Sequence, residues 1–232
     1  MAFVTAGLSN GGRTAHFEIE YDDSLRSPET ANALIETSDA DFELMSRWFQ
    51  GVELSASPLT VRIVAAEPPG PLAAPVDIFP GPGARPLRVR YLFVAAISRR
   101  FMRSQDRGWL GADGSGAGPA LSRFLGAQAL AANGLGVPEL DLQPANSWMD
   151  SPRDDYVNDP AGSEPAVGCG VLFLYYLFTE RKFSVAQIIA AAAPDLGGVY
   201  RNLTGETGDP FPQRTPGKQI SRDENDRRRA SR

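Results

Sequence analysis

Arginine spacing is the feature of this sequence that most invites chemistry. Arg99 and Arg103 stand four residues apart, which puts both on one side of a helix, and Arg100 is adjacent. Arg123, on the next expected helix, can join them. Converging guanidinium groups would hold a carboxylate or a phosphate, because their planar N–H forks match paired anionic oxygens. Arg99, Arg100, Arg103 and Arg123 are therefore the ligand-binding candidates. The plainer alternative is a solvated face whose arginine stems lie over apolar surface, and the pattern alone favours it.

Other residues offer weaker chemistry. Asp150, Asp154, Asp155 and Asp159 could supply oxygens to a hard cation. Their spacing is not that of a calcium loop, and Pro152 and Pro160 interrupt them, so capping and solvation with local pairing by Arg153 is the simpler reading. Cys169 sits between two glycines near the start of a helix, where the helix dipole favours a thiolate. The apolar run that follows suits core packing instead, and nothing brings the single His16 to it. The run Gly114-x-Gly116-x-Gly118 precedes a helix, as phosphate loops do. It follows no strand and lacks the Gly-Lys-Ser/Thr ending, so a plain loop is favoured.

The elements that must position these residues follow from periodicity. Residues 1–13 are small and Gly-rich and predict a flexible N-terminus. Phe17, Ile19 and Tyr21 alternate with Glu18 and Glu20, the pattern of a half-buried strand. Ser27-Pro28-Glu29 starts a helix with a capping hydroxyl, a first-turn proline and an acid at the positive end of the dipole. Apolar residues from Ala31 to Phe49 keep helical spacing, and Gly51 stops it. Leu59–Val64 reads as a second strand. The stretch 67–86 holds seven prolines and three glycines, so it cannot be helical; a short extended piece at Val76–Phe79 fits a strand. The next helix carries the stripe Val89, Leu92, Phe93, Ala96, Ile97 and Phe101, with the arginines towards another face. Helix Pro119–Asn133 ends at Gly134. Residues 135–165 read as irregular. Val167–Phe178, apolar nearly all round, predicts a central helix. Ser184 caps a helix over Val185–Ala193, and a short one follows at Gly198–Leu203.

The fold class expected is α+β: a small N-terminal mixed or antiparallel sheet with one long helix over 14–86, then a mostly helical part over 87–208, and a disordered polar tail from 209 to 232. Composition narrows the function. The chain has 232 residues, 42% hydrophobic content and a net charge of −5, so no nucleic-acid partner is expected. One cysteine gives no internal disulfide. The start lacks a basic region followed by an apolar core, and the longest apolar run, Val171–Phe178, is far short of the roughly 20 residues that cross a bilayer. A cytoplasmic protein without membrane attachment is expected, with export by a signal-less route left open. A protein or peptide partner, or a second copy of the chain, fits this description.

The layout of helix, Gly-rich loop and helix over Arg88–Leu125 resembles that of a zinc peptidase core. Such a site needs two histidines at i and i+4 with a glutamate between them, plus a carboxylate from a following helix. The equivalent face here reads Ala95-Ala96-Ile97-Ser98-Arg99, and His16 is the only histidine. No two-histidine zinc site can be assembled within one chain, and no cofactor is expected.

Several stretches nonetheless resemble a family of uncharacterised bacterial proteins with a metallopeptidase-like (gluzincin-like) fold. They are WFQGVELSASPLTVRI, the helix ending in RRFM, GWL with LSRFL, ANSWMDSPRDDYVND, GCGVLFLYYLF, and AQIIAAA with VYRNLTG and GDPFP. Together they span about residues 16–212, and their order and mutual spacing carry the likeness. Members of that family tend to carry acids on the first helix and a Gly-Glu-Gly-Leu-Ser start to the second. This chain has Ala96 and Arg99 on the first, and Gly118-Pro119-Ala120-Leu121-Ser122 at the second. The resemblance implies a degenerate relative: a non-catalytic binding or assembly module on a metallopeptidase-like scaffold. The other class left open is a zinc-independent hydrolase using Cys169 or the Asp150–Asp159 acidic loop.

Overall fold

The computed structural model of the chain describes residues 7–25, 28–54, 58–65, 76–81, 83–111, 116–138, 142–160 and 162–210. Among these residues it is an α+β protein with one four-stranded mixed sheet and seven α-helices. The strands are β1 (Leu8–Arg13), β2 (Phe17–Asp22), β3 (Leu59–Ile63) and β4 (Val76–Ile78), in the spatial order β1-β2-β3-β4. β1 runs antiparallel to β2, whereas β2–β3 and β3–β4 are parallel. The helices are α1 (Pro28–Trp48), α2 (Pro86–Gln105), α3 (Gly118–Ala132), α4 (Gln143–Met149), α5 (Glu164–Thr179), α6 (Val185–Ala190) and α7 (Leu196–Thr204).

α1 is the crossover that parallel pairing of β2 with β3 requires. It lies on one face of the sheet, where Phe17, Ile19, Val61, Ile63, Val76 and Ile78 point into a continuous core. The alternation expected for β2 and β3 is what places those side chains there. α2 packs on α1 and on β4. Phe93 meets Phe17 edge-on, with ring centroids 5.0 Å apart, and Phe101 stacks on Phe49 at 5.1 Å. Each ring is fully buried, and truncating one such side chain to alanine costs about 3–5 kcal/mol.

A second clamp on α2 is ionic. Arg90 donates from Nε and Nη2 to both oxygens of Asp41 on α1, at 2.8 and 2.7 Å, and the Asp41 side chain is 1% exposed. On its other flank α2 lies close to α3. A Cβ added at Gly126 would sit 3.0 Å from the Tyr91 ring and backbone, so glycine sets that helix separation.

The connection from α2 to α3 is anchored by Trp109, which is fully buried and donates its indole N–H to the Ile189 carbonyl at 3.1 Å. Gly116 and Gly118 donate their backbone N–H groups to the carbonyls of Leu110 and Trp109. Those amides are consumed within the chain rather than turned outward to a phosphate. Gly114 lies outside the described residues.

Two expectations are corrected. Residues 8–13 form strand β1 rather than a loose terminus; residues 1–6 lie outside the described set. The strand has no apolar alternation because Gly11 and Gly12 take the positions under α1. A Cβ on Gly11 would lie 3.0 Å from that of Ala31, and one on Gly12 2.7 Å from the Ile35 side chain. Close helix approach replaces side-chain packing there. Within the stretch read as irregular, residues 143–149 form helix α4. It is short and has no buried residue, so no periodicity marks it. It packs by backbone proximity: a Cβ on Gly168 of α5 would fall 1.8 Å from the Pro144 carbonyl oxygen.

The remaining expected elements are present, with ends shifted by a few residues. The cap proposed at Ser27 and half of the segment 67–86 (67–75 and 82) lie outside the described residues, as do 211–232 of the tail. No helix among the described residues is long and apolar enough to cross a membrane.

Candidate functional site

The sequence candidates Arg99 and Arg123 meet at a cleft of about 170 Å³. Its floor and sides come from three elements. β4 and the residue after it contribute Asp77, Ile78 and Phe79, α2 contributes Leu92, Ala95, Ala96 and Arg99, and α3 contributes Arg123. The helical repeat explains the α2 set, since positions 92, 95, 96 and 99 share one face. Leu92 and Ala96 were expected in the core stripe. They are half-buried and line the cleft, while Val89, Phe93, Ile97, Phe101 and Met102 form the buried side. Ile97 and Ser98 also face inward, and Ser98 bonds back to the Ala95 carbonyl at 2.9 Å.

Arg99 has an unusual setting. Solvent reaches it, yet protein crowds its guanidinium from most directions, as the wall of a cleft does. Desolvation holds its pKa below the ordinary arginine value, and the nearby Arg123 charge lowers it further. Arg99 Nε lies 3.4 Å from Ser122 Oγ, a long hydrogen bond at best. Among the described residues no carboxylate pairs with Arg99. Among the described wall residues the one acid, Asp77, is committed to Arg62, which donates to its two oxygens at 2.7 and 2.8 Å. Arg123 sits with its guanidinium carbon 5.7 Å from the Tyr91 ring centroid, a cation–π contact that helps to fix it.

Arg100 and Arg103 do not line this cleft. Arg100 is half-buried beside it. Burial and then the Arg103 charge lower its pKa, while Asp77 opposes them. Arg103 is exposed. The four-residue spacing of Arg99 and Arg103 thus does not become a shared site. The pair that converges is Arg99 with Arg123, across two helices.

The nucleophile candidate behaves differently. Cys169 faces a second cavity of about 300 Å³, walled by Trp148, Val157, Leu172, Phe173, Tyr176 and Pro210. Burial pushes its thiol up to about 11, and a hydrogen bond with the Tyr156 backbone offsets only part of this. It stays a thiol at neutral pH. His16 is not brought to it. The imidazole stacks on Phe42 of α1 at 4.0 Å, with Nε2 3.4 Å from a Glu43 oxygen. Helix α5 was expected to be central, but its Leu172 and Tyr176 side borders this cavity and is only partly covered.

The acidic loop is used locally. Asp155 accepts hydrogen bonds from the Val157 and Asn158 amides and from the Asn158 side chain. The Asp154 carbonyl accepts the Trp148 indole N–H at 3.0 Å. Arg153 donates to the Met149 carbonyl. Among the described residues no group of three or more His, Cys, Asp or Glu side chains is placed to hold a metal ion.

Sequence reasoning missed the β4 wall of the cleft. Val76–Phe79 was legible as a strand, but nothing in its residues shows that it lies across α2 from Arg99. No family model, no curated protein and no solved structure matches this chain.

Proposed function

We propose that this protein is a non-catalytic binding module on a metallopeptidase-like scaffold, and that its β4–α2–α3 cleft takes an anionic group of a partner on Arg99 and Arg123. The observation that carries the proposal is Arg99 itself. It is an accessible guanidinium, crowded by protein, beside a like charge and without a carboxylate partner among the described residues. The Arg123 charge adds to the cost of the Arg99 charge, and an anion beside Arg99 offsets that cost.

The scaffold part of the proposal rests on the sequence resemblance. Ala95, Ala96 and Arg99, the positions set against a zinc helix, line the cleft, which is the support the geometry adds. The alternative hydrolase has less behind it. The Cys169 thiol is raised rather than lowered, and Asp155 is occupied with backbone and Asn158 donors.

Thermal unfolding in matched-ionic-strength acetate, phosphate and chloride tests the proposal. An anion that binds only the folded state stabilises it by mass action, but salts also act on the whole surface. The comparison with Arg99→Gln separates the two. The expected result is a gain in Tm with acetate or phosphate over chloride that falls by more than half in the variant. An equal gain in both proteins contradicts the proposal.

A further inference from the structure

The cleft is chemically two-sided. Ile78, Phe79, Leu92, Ala95 and Ala96 form an apolar wall, and the two guanidinium groups close the other side. The anion has few donors available. Ser122 is close, but its hydroxyl proton goes to the Pro119 carbonyl at 2.8 Å, so its oxygen accepts from Arg99 rather than donating to a ligand. Among the described lining side chains, Arg99 and Arg123 are the ones that carry N–H donors. A tetrahedral phosphate dianion would set some of its oxygens against the Ile78, Phe79 and Leu92 side, whose side chains offer no hydrogen bond. A planar carboxylate needs two oxygens satisfied, which guanidinium forks do well. The volume of about 170 Å³ is on the scale of one compact apolar group.

We infer that the ligand of this cleft is an apolar monocarboxylate: a carboxylate carried by one apolar group the size of a leucine or phenylalanine side chain. The inference rests on the anion-site reading above and narrows it. The same chemistry has two sources, the C-terminal residue of a peptide chain and a free small carboxylic acid.

Isothermal titration of the full chain at pH 7 distinguishes these. The probes are 3-phenylpropionate and 4-methylvalerate, their primary amides, inorganic phosphate, and a glycine pentapeptide extended by a C-terminal leucine, with its carboxylate free or amidated. The acids are expected to bind at least tenfold tighter than their amides and than phosphate. Arg99→Gln should lose at least tenfold for the acids, and Ala96→Leu, which fills the apolar side, should lose a similar factor. Arg107→Gln, an exposed arginine beyond the end of α2, should stay within twofold. Circular dichroism checks that each variant is folded. If the free-carboxylate peptide binds tighter than 4-methylvalerate, the source is a chain terminus; if it binds equally or more weakly, the source is a free acid. Phosphate binding as tightly as the acids, and lost in Arg99→Gln, overturns the inference while leaving the anion site intact. Acids and amides binding alike, no dependence on Arg99, or no heat with any probe overturns both.

Discussion

The two ends of α2 use arginine in opposite ways. Near its start, Arg90 faces α1 and closes a two-bonded pair with Asp41, which is almost wholly buried. Nine residues on, Arg99 faces α3 and meets another cation, Arg123. The first arrangement satisfies itself and fixes how α1 and α2 pack. The second sets like charges across a cleft, and among the described residues no carboxylate pairs with Arg99. One helix thus carries a cation paired within the fold and, on the function proposed above, a cation that takes a ligand. What distinguishes them is the partner each neighbouring helix supplies, since the side chains are identical.

This contrast can be broken by mutation. The largest effect is expected at the closed end. Asp41→Ala leaves Arg90 charged and largely enclosed, so chemical denaturation should show a loss of about 3–5 kcal/mol; a loss below about 1 kcal/mol would mean that the pair does not hold the helices. Next in size is a test of whether chemistry lies elsewhere. With its thiol near 11, Cys169 has a thiolate fraction on the order of 10⁻⁴ at pH 7. Alkylation at pH 7 should run at least about 100-fold slower than for a free thiol and accelerate up to pH 10. Fast labelling at neutral pH would move attention from the cleft to the α4–α5 cavity.

The open end should be nearly silent in stability. Arg99→Gln removes a cation that nothing in the fold needs, so the change should be within about 0.5 kcal/mol. A large loss would put Arg99 in the same class as Arg90. The smallest effect belongs to an exposed arginine–acid group. Arg181 donates to Glu206 at 3.1 Å and to the Tyr200 hydroxyl at 2.7 Å, and Tyr200 donates to Glu206. The Tyr200 and Arg181 hydrogen bonds hold the Glu206 carboxyl below its ordinary value. A carboxyl whose pKa is lower in the folded state adds stability above its unfolded value and loses it as pH falls through the folded one. Glu206→Gln lacks that contribution, so its Tm should be slightly lower than wild type near pH 7, and the difference should close as pH falls through the carboxylate range, which flattens the acid limb. An unchanged acid limb would show the cluster to be inert.

Much of the architecture was legible because it is written in apolar periodicity. Phe17 and Ile19 in β2, Val61 and Ile63 in β3, and Val89 to Phe101 in α2 declare their buried faces. Elements held by close backbone approach were not legible. β1 and α4 pack through Gly11, Gly12 and Gly168, and a missing side chain leaves no periodic signal. The site was half legible. Arg99 and Arg123 stood out by type, but Arg103 shared the same spacing and points to solvent. Leu92 and Ala96 satisfied the core stripe while lining a cleft, because a stripe wider than its neighbours can cover leaves an edge. Only the placement of β4 and α3 decides which edge stays open.

The central claim is that Arg99 and Arg123 together hold a carboxylate. Titrating acetate into isotopically labelled protein and following backbone amide resonances tests it most directly. The account predicts saturable shifts centred on Ala95, Ala96, Arg99, Ser122 and Arg123 that vanish in Arg99→Gln. Shifts that never saturate, or that concentrate on the exposed Arg103 and Arg107, would contradict it.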